Sequence, residues 1–219
     1  MKRFQVADLM KGIAVLLMIQ VHIIELFATS FITESEAGHV LLFLGGPFVA
    51  PVFVVFMGYF IALVNKPTSV MVSRGVKVFA GGILLNCALN LNLLISVAKG
   101  TLDVDVLSYI FGVDILLFAG LAIIAIALLK KLLDLHFLVT TSVSLIIALS
   151  AILMLNLTIE NTFLSYLLSF VYGCSNWSYF PLFPWLSYVL LGYAVFQFQQ
   201  KVDLKIFDKP LVRIGLSII

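Results

Sequence analysis

Charge is scarce in this chain of 219 residues. Only 11% of it is Asp, Glu, Lys or Arg, against about 25% in an ordinary soluble domain. The deficit excludes a water-soluble enzyme of the usual kind. It also excludes a nucleic-acid-binding domain, which needs basic patches, and a disordered chain, which needs few apolar residues. Cysteine is scarcer still. Cys87 and Cys174 form neither a disulfide framework nor a CxxC metal site. What fills the space is apolar: 63% of the residues, against about 45–50% in globular proteins. The composition predicts an all-α, polytopic transmembrane helical bundle.

Six stretches approach the roughly 20 apolar residues that a membrane crossing requires, near 9–31, 40–64, 77–98, 107–129, 136–157 and 182–199. The run Leu211–Ile219 reads as the start of a seventh. The expectation is one integral-membrane domain over 1–219 that lacks further C-terminal helices. The first span is too long, and with His22 and Glu25 too polar, for a cleaved signal peptide.

Of the 13 lysines and arginines, all but Lys99 fall on one side of this six-span arrangement. They sit at the N-terminal end, around 66–77, at Lys130 and Lys131, and in the C-terminal tail. The other side holds Glu34, Glu36, Asp103, Asp105 and Glu160. The positive-inside rule then puts both ends of the chain in the cytoplasm. The outer segment 158–181 contains Phe163–Gly173, apolar but too short to span and suited to an interfacial or re-entrant element. Trp177, Tyr179, Trp185 and Tyr188 follow. They read either as an aromatic belt at the outer interface or as the wall of a cavity for a polar ligand. Asn156 and Asn176 begin tripeptides of the glycosylation-acceptor pattern.

An ionisable side chain inside a span costs about 2.5–3.5 kcal/mol or more on insertion scales and so needs a reason. His22, Glu25 and Asp114 are of this kind. In the first helix Asp8, Lys11, Val15, Met18, His22, Glu25 and Thr29 recur at three- and four-residue spacing and so share a stripe. That stripe is expected to face the bundle interior, with Gln20 pointing the other way. His22 and Glu25 are three apart and can touch. Asp114 lies at a depth similar to that of His22. Two readings fit: polar contacts between helices, with Asp114 held by Asn86 or Asn90, or a base oriented by a carboxylate. Glu25 also fits a side chain that snorkels outward. Arg3, Lys11, Arg74 and Lys77 form a basic cytoplasmic rim that either sets orientation or docks an anionic donor. Gly45, Gly46, Pro47 and Pro51 predict a kink in the second span, whose freed backbone groups need partners.

Four blocks together resemble the heparan-α-glucosaminide N-acetyltransferase family and its bacterial relatives. Arg3, Asp8, Lys11-Gly12, Met18 and His22 are similar to the family's opening motif, with lysine where the family has arginine. Pro47-Phe-Val-Ala-Pro51-Val-Phe53 through Gly58 resembles its Pro-Phe-rich segment. Phe111-Gly112-Val-Asp114 resembles its fourth-helix motif, and Phe180-Pro181-Leu-Phe-Pro184-Trp185 through Gly192 its Pro-Trp signature. The resemblance implies a membrane acyltransferase that moves an acetyl group from cytosolic acetyl-CoA to a sugar amine or hydroxyl on the far side. It places the active-site histidine at His22, with Asp114 or Glu25 to orient it. Arg3, Asp8, Lys11, Arg74 and Lys77 are then candidates for the donor end, and Asn86, Asn90 and Trp185 for the acceptor. The implied partners are the lipid bilayer, acyl-CoA and a glycan, with neither metal nor nucleic acid. The oligomeric state is open, and the bacterial inner membrane is the expected location. A proton-coupled secondary transporter is the alternative of another class, since a buried histidine with carboxylates also serves a proton relay. No inverted repeat relates the two halves, which counts against it. A non-catalytic membrane scaffold is the third reading.

Overall fold

The structure is a computed structural model, and it describes residues 5–154, 161–173 and 177–201. Arg3, the 211–219 run, Cys174 and both glycosylation-type asparagines lie outside the described residues, as do the side chains of Asp8 and Lys11. The described residues form helices and no named strand. In order these are α1 (Gln5–Phe27), α2 (Ser30–Thr33), α3 (Glu36–Phe43), α4 (Val49–Val64), α5 (Thr68–Leu89), α6 (Leu91–Ala98), α7 (Val106–Ile110), α8 (Ile115–Leu133), α9 (Phe137–Met154), α10 (Thr162–Ser169) and α11 (Leu182–Lys201). Among the described residues three helical stretches are long and apolar enough to cross a membrane: Glu36–Val64, Thr68–Leu89 and Ile115–Leu133. Gly12–Phe27 and Phe137–Ile152 are shorter apolar helices. The third expected span, 77–98, is displaced. Its helix begins at Thr68, so that Arg74, expected ahead of the span, lies within it, and it ends at Leu89.

The chain divides into two compact units, Met1–Leu63 with Gly192–Ile219, and Val64–Leu191. In the first, α3 runs into α4 through a π-helical turn, Leu44–Phe48, around Gly45-Gly46-Pro47. Proline has no N–H to donate and its ring crowds the preceding turn, so the helix widens there. The kink expected from these residues is thus a π-bulge. It also makes a contact surface. A Cβ added at Gly45 would lie 2.5 Å from Val21 Cβ and 2.7 Å from the Leu17 carbonyl oxygen, so α1 rests directly on the widened turn. The other seam of this unit is α4 with the second half of α11. There Gly192 lies against the Val55 backbone, and Tyr59 donates a 2.7 Å hydrogen bond to Gln199 Oε1.

The second unit is built on α5 and α8. Gly75 meets Ile124 and the Gly120 carbonyl, Phe79 meets Gly120, and Gly82 meets Leu117, so the two helices run antiparallel. Leu117, Phe118, Ala122 and Ile126 are fully buried on α8. Small residues let the backbones approach where apolar burial alone gives no drive within lipid. Ser144 on α9 donates a 2.7 Å hydrogen bond to the Ser187 carbonyl of α11, a polar contact that fixes these helices in register.

Candidate functional site

The packed face of α1 consists of Ala14, Leu17, Val21 and Ile24, at three- and four-residue spacing, and Ala28 continues it just past the helix end. Ala14 and Val21 are 2% and 4% exposed. This corrects the expectation that the polar stripe looks inward. Val15, His22, Glu25 and Thr29 are exposed, while Gln20, expected to point away, is partly buried and donates to the Leu41 carbonyl at 3.3 Å. The physical reason is shape. At the π-bulge Gly45 has no side chain, so the Val21 side chain and the Leu17 carbonyl rest directly on its backbone. Gln20 adds a side-chain donor to the Leu41 carbonyl, which also accepts from Leu44 N–H.

His22 and Glu25 do meet, one turn apart, with Nδ1 3.3 Å from Oε2. Their side chains are 65% and 56% exposed. A carboxylate against Nδ1 holds the proton there in the neutral imidazole and leaves the Nε2 lone pair open. The pair is therefore an oriented base on an accessible face.

Asp114 belongs to the other unit. It is the N-cap of α8: its Oδ1 accepts from Leu116 N–H and Leu117 N–H, each at 2.9 Å. These are two of the donors a helix start leaves without partners. Neither Asn86 nor Asn90 holds the Asp114 carboxylate, contrary to the structural reading of the sequence. Asn86 is buried and gives both amide protons to backbone carbonyls, Ile110 at 3.1 Å and Gly112 at 3.0 Å. It thus pins the chain break between α7 and α8. Asn90 Nδ2 bonds the Asn86 carbonyl at 2.9 Å.

At the end of this unit opposite Arg74 and Lys77, the segment following α10 is laced to the start of α8. Val113 N–H donates to the Trp177 carbonyl, and Tyr179 and Phe180 N–H groups donate back to Val113. The eleven-residue apolar stretch 163–173 contains a two-turn helix, α10, too short to span. Trp185 packs in a row with Phe180 at 4.7 Å and Tyr188 at 5.6 Å between ring centroids, the rings tilted to one another.

A second cluster here has only a faint signature in sequence, an acid and aromatics scattered over three separated segments. Tyr166 on α10 donates a short hydrogen bond to Asp105 Oδ2, while Asp105 Oδ1 caps α7. The Tyr166 ring stacks on Trp177 at 5.1 Å. Burial, then the Asp105 bond and charge, push the Tyr166 hydroxyl up to about 12.

Arg74 and Lys77 lie on α5 in the second unit, on the side away from α8. Among the described residues no three His, Cys, Asp or Glu side chains come together in a way that would hold a metal ion.

Apolar helices long enough for a bilayer, kinked at Gly-Pro and carrying an exposed histidine–carboxylate pair, define a helical membrane protein with a candidate acid–base site. The comparison with known families makes this specific. The model of the heparan-α-glucosaminide N-acetyltransferase catalytic family matches residues 3–215, and the chain belongs to that family. No curated protein and no solved structure matches it. The family is one of acyltransferases that draw on acetyl-CoA, so a membrane acetyltransferase-like function is supported for the chain.

Proposed function

We propose that this protein is a membrane-embedded acyltransferase that takes an acetyl group from cytosolic acyl-CoA and transfers it to a sugar amine or hydroxyl on the far side of the membrane. The observation that carries the proposal is the His22–Glu25 pair, 3.3 Å apart, on the helix that opens the family match. With the Nδ1 proton directed at Glu25, Nε2 accepts the proton of the acceptor amine or hydroxyl as its nitrogen or oxygen attacks the thioester carbonyl carbon. The carbon–sulfur bond breaks, and the departing thiolate recovers the proton. An acyl-histidine route uses the same Nε2 as the nucleophile and divides the transfer into two steps. Asp114 Oδ1 is engaged in the cap of α8, and only its second oxygen is left for the orienting role that the family resemblance suggested.

The remaining assignments follow from charge. Six spans with both ends cytoplasmic, as in a bacterial inner membrane, place Arg3, Asp8, Lys11, Arg74 and Lys77 on the donor side. Asn86, Asn90 and Trp185 then lie toward the acceptor side. Asn86 is confined to its carbonyl oxygen, since its amide protons are committed.

The test is acetyl transfer from labelled acetyl-CoA to a panel of amino sugars by the purified protein, beside Glu25→Gln. Loss of the carboxylate charge that orients His22 is expected to lower turnover by roughly 10²–10⁴, the range of a positioned general base. Turnover unchanged in Glu25→Gln would remove the pair from the mechanism.

A further inference from the structure

The antiparallel packing of α5 and α8 brings the first half of α5 and the last turn of α8 to one end of their unit. That end holds Lys66, Arg74, Lys77, Lys130 and Lys131. One of these cations is engaged: Lys130 bonds Asn65 and pairs with Asp134 at 3.2 Å. Arg74 and Lys77 have neither an ion pair nor a hydrogen bond with the described residues. Met71, Gly75 and Gly82 are buried on the side of α5 that meets α8. Ser69, Ser73 and Lys77 recur every four residues on the other side, flanked by Val70 and Arg74. These five line a groove of about 400 Å³. Among the described residues no carboxylate lines it.

The chemistry of this lining is selective. Arginine presents a planar fork of N–H donors, lysine a mobile ammonium, and each serine one hydroxyl donor. Two cations and two hydroxyls suit an anion with three or more oxygens and up to two charges. A carboxylate, with one charge and two oxygens, would leave donors unused. We infer that the groove formed by Ser69, Ser73, Arg74 and Lys77 is a binding site for a phosphate ester. Two sources present this group at a membrane surface: the phosphorylated end of a nucleotide-type acyl donor, and the headgroup of an anionic phospholipid. The first source rests on the acyltransferase reading above; the site itself does not.

The experiment is binding by the purified full chain in neutral detergent, measured calorimetrically with adenosine 3′,5′-bisphosphate, which carries no acyl group. Retention of phosphatidylglycerol in nanodiscs is measured in parallel. The variants are Arg74→Gln/Lys77→Gln, Arg74→Lys, Ser69→Ala/Ser73→Ala and, at the same end but outside the groove, Lys131→Gln. Binding is expected to weaken at least about tenfold in the double charge variant, and less in the serine variant, since charge-assisted bonds are the stronger ones. Arg74→Lys keeps the charge but loses the fork, so it should fall between. Lys131→Gln should bind as the parent does. Loss confined to the bisphosphate assigns the site to a soluble donor, loss confined to the lipid assigns it to a headgroup, and loss of both marks a shared site. Equal binding by the double variant, no binding of either probe by the parent, or equal weakening by Lys131→Gln would overturn the proposal. The last of these would reduce the groove to diffuse positive charge. Because turnover is not read, absence of acyl transfer would leave this result standing. Arg74 and Lys77 are exposed, and the thermal midpoint of each variant checks its folding.

Discussion

Replacing Gly120 by alanine tests the packing of the second unit most sharply. A Cβ at Gly120 would lie 2.7 Å from Phe79 Cβ and N and 2.8 Å from Phe79 Cα. Carbon atoms prefer about 3.5–4.0 Å, so α5 and α8 must part by about 1 Å. Two of the three crowded atoms are backbone and cannot rotate aside. Such a gap forfeits about a quarter to a half of each dispersion contact along the seam. Overpacking of this kind costs about 3 kcal/mol at its upper range, and alanine returns about 1 kcal/mol of helix propensity. The net loss is about 2 kcal/mol, or about 4–8 °C in thermal midpoint for a chain of this size. Gly81→Ala is the control, one residue from the seam on α5, where an added Cβ meets nothing within 4 Å. It should raise the midpoint by about 2–4 °C. Gly82→Ala should fall between, because its closest neighbour is the Leu117 side chain at 3.0 Å, which can shift. The assay is thermal unfolding in detergent followed by a thiol-reactive or tryptophan probe. Equal midpoints for Gly120→Ala and Gly81→Ala would refute the packing described for α5 and α8.

Three other outcomes are expected. Ultraviolet titration of tyrosinate should show one phenol ionising near pH 12, absent in Tyr166→Phe. Because burial and Asp105 raise this group above its usual value near 10, its contribution to stability is complete below about pH 10 and is lost as pH rises toward 12. Asn86→Ala should lower stability by about 1–3 kcal/mol for each buried carbonyl left unpaired, whereas Ser144→Ala should cost only about 0.6 kcal/mol, both read from midpoint shifts. Single cysteines at Lys66 and at Asp103, in a chain freed of Cys87 and Cys174, should be modified by an impermeant thiol reagent from opposite sides of intact vesicles. Labelling of both from one side would contradict the proposed topology.

The residues that made the fold legible are those whose physics is local. Apolar runs announced helices, Gly45-Gly46-Pro47 announced the kink, and three-residue spacing announced the His22–Glu25 contact. The short apolar stretch in 163–173 was readable as non-spanning by length alone. What was not legible depended on neighbours. The inward face of α1 is selected by the fit of Val21 and Leu17 to Gly45 of the π-bulge, and no periodicity within α1 encodes that surface. His22 and Glu25 satisfy each other, so they do not require burial, and the inference from polarity to an interior face failed for that reason. Asp114 carries an N-cap signature, an aspartate just before an apolar helix, and that local signal, not a partner among the asparagines, decides its contacts. The Asp105–Tyr166–Trp177 cluster joins three separated segments and could not be assembled from spacing.

The central claim is acyl transfer at His22, and one measurement addresses it directly. Purified protein is incubated with acetyl-labelled acetyl-CoA, with and without amino-sugar acceptors, beside His22→Ala, and both CoA release and label retained on the protein are followed. The account predicts acceptor-dependent CoA release by the parent and none by His22→Ala, with matching thermal midpoints for the two. Release that persists in His22→Ala would contradict it, as would a parent that releases no CoA while carrying substrate-dependent proton flux in liposomes.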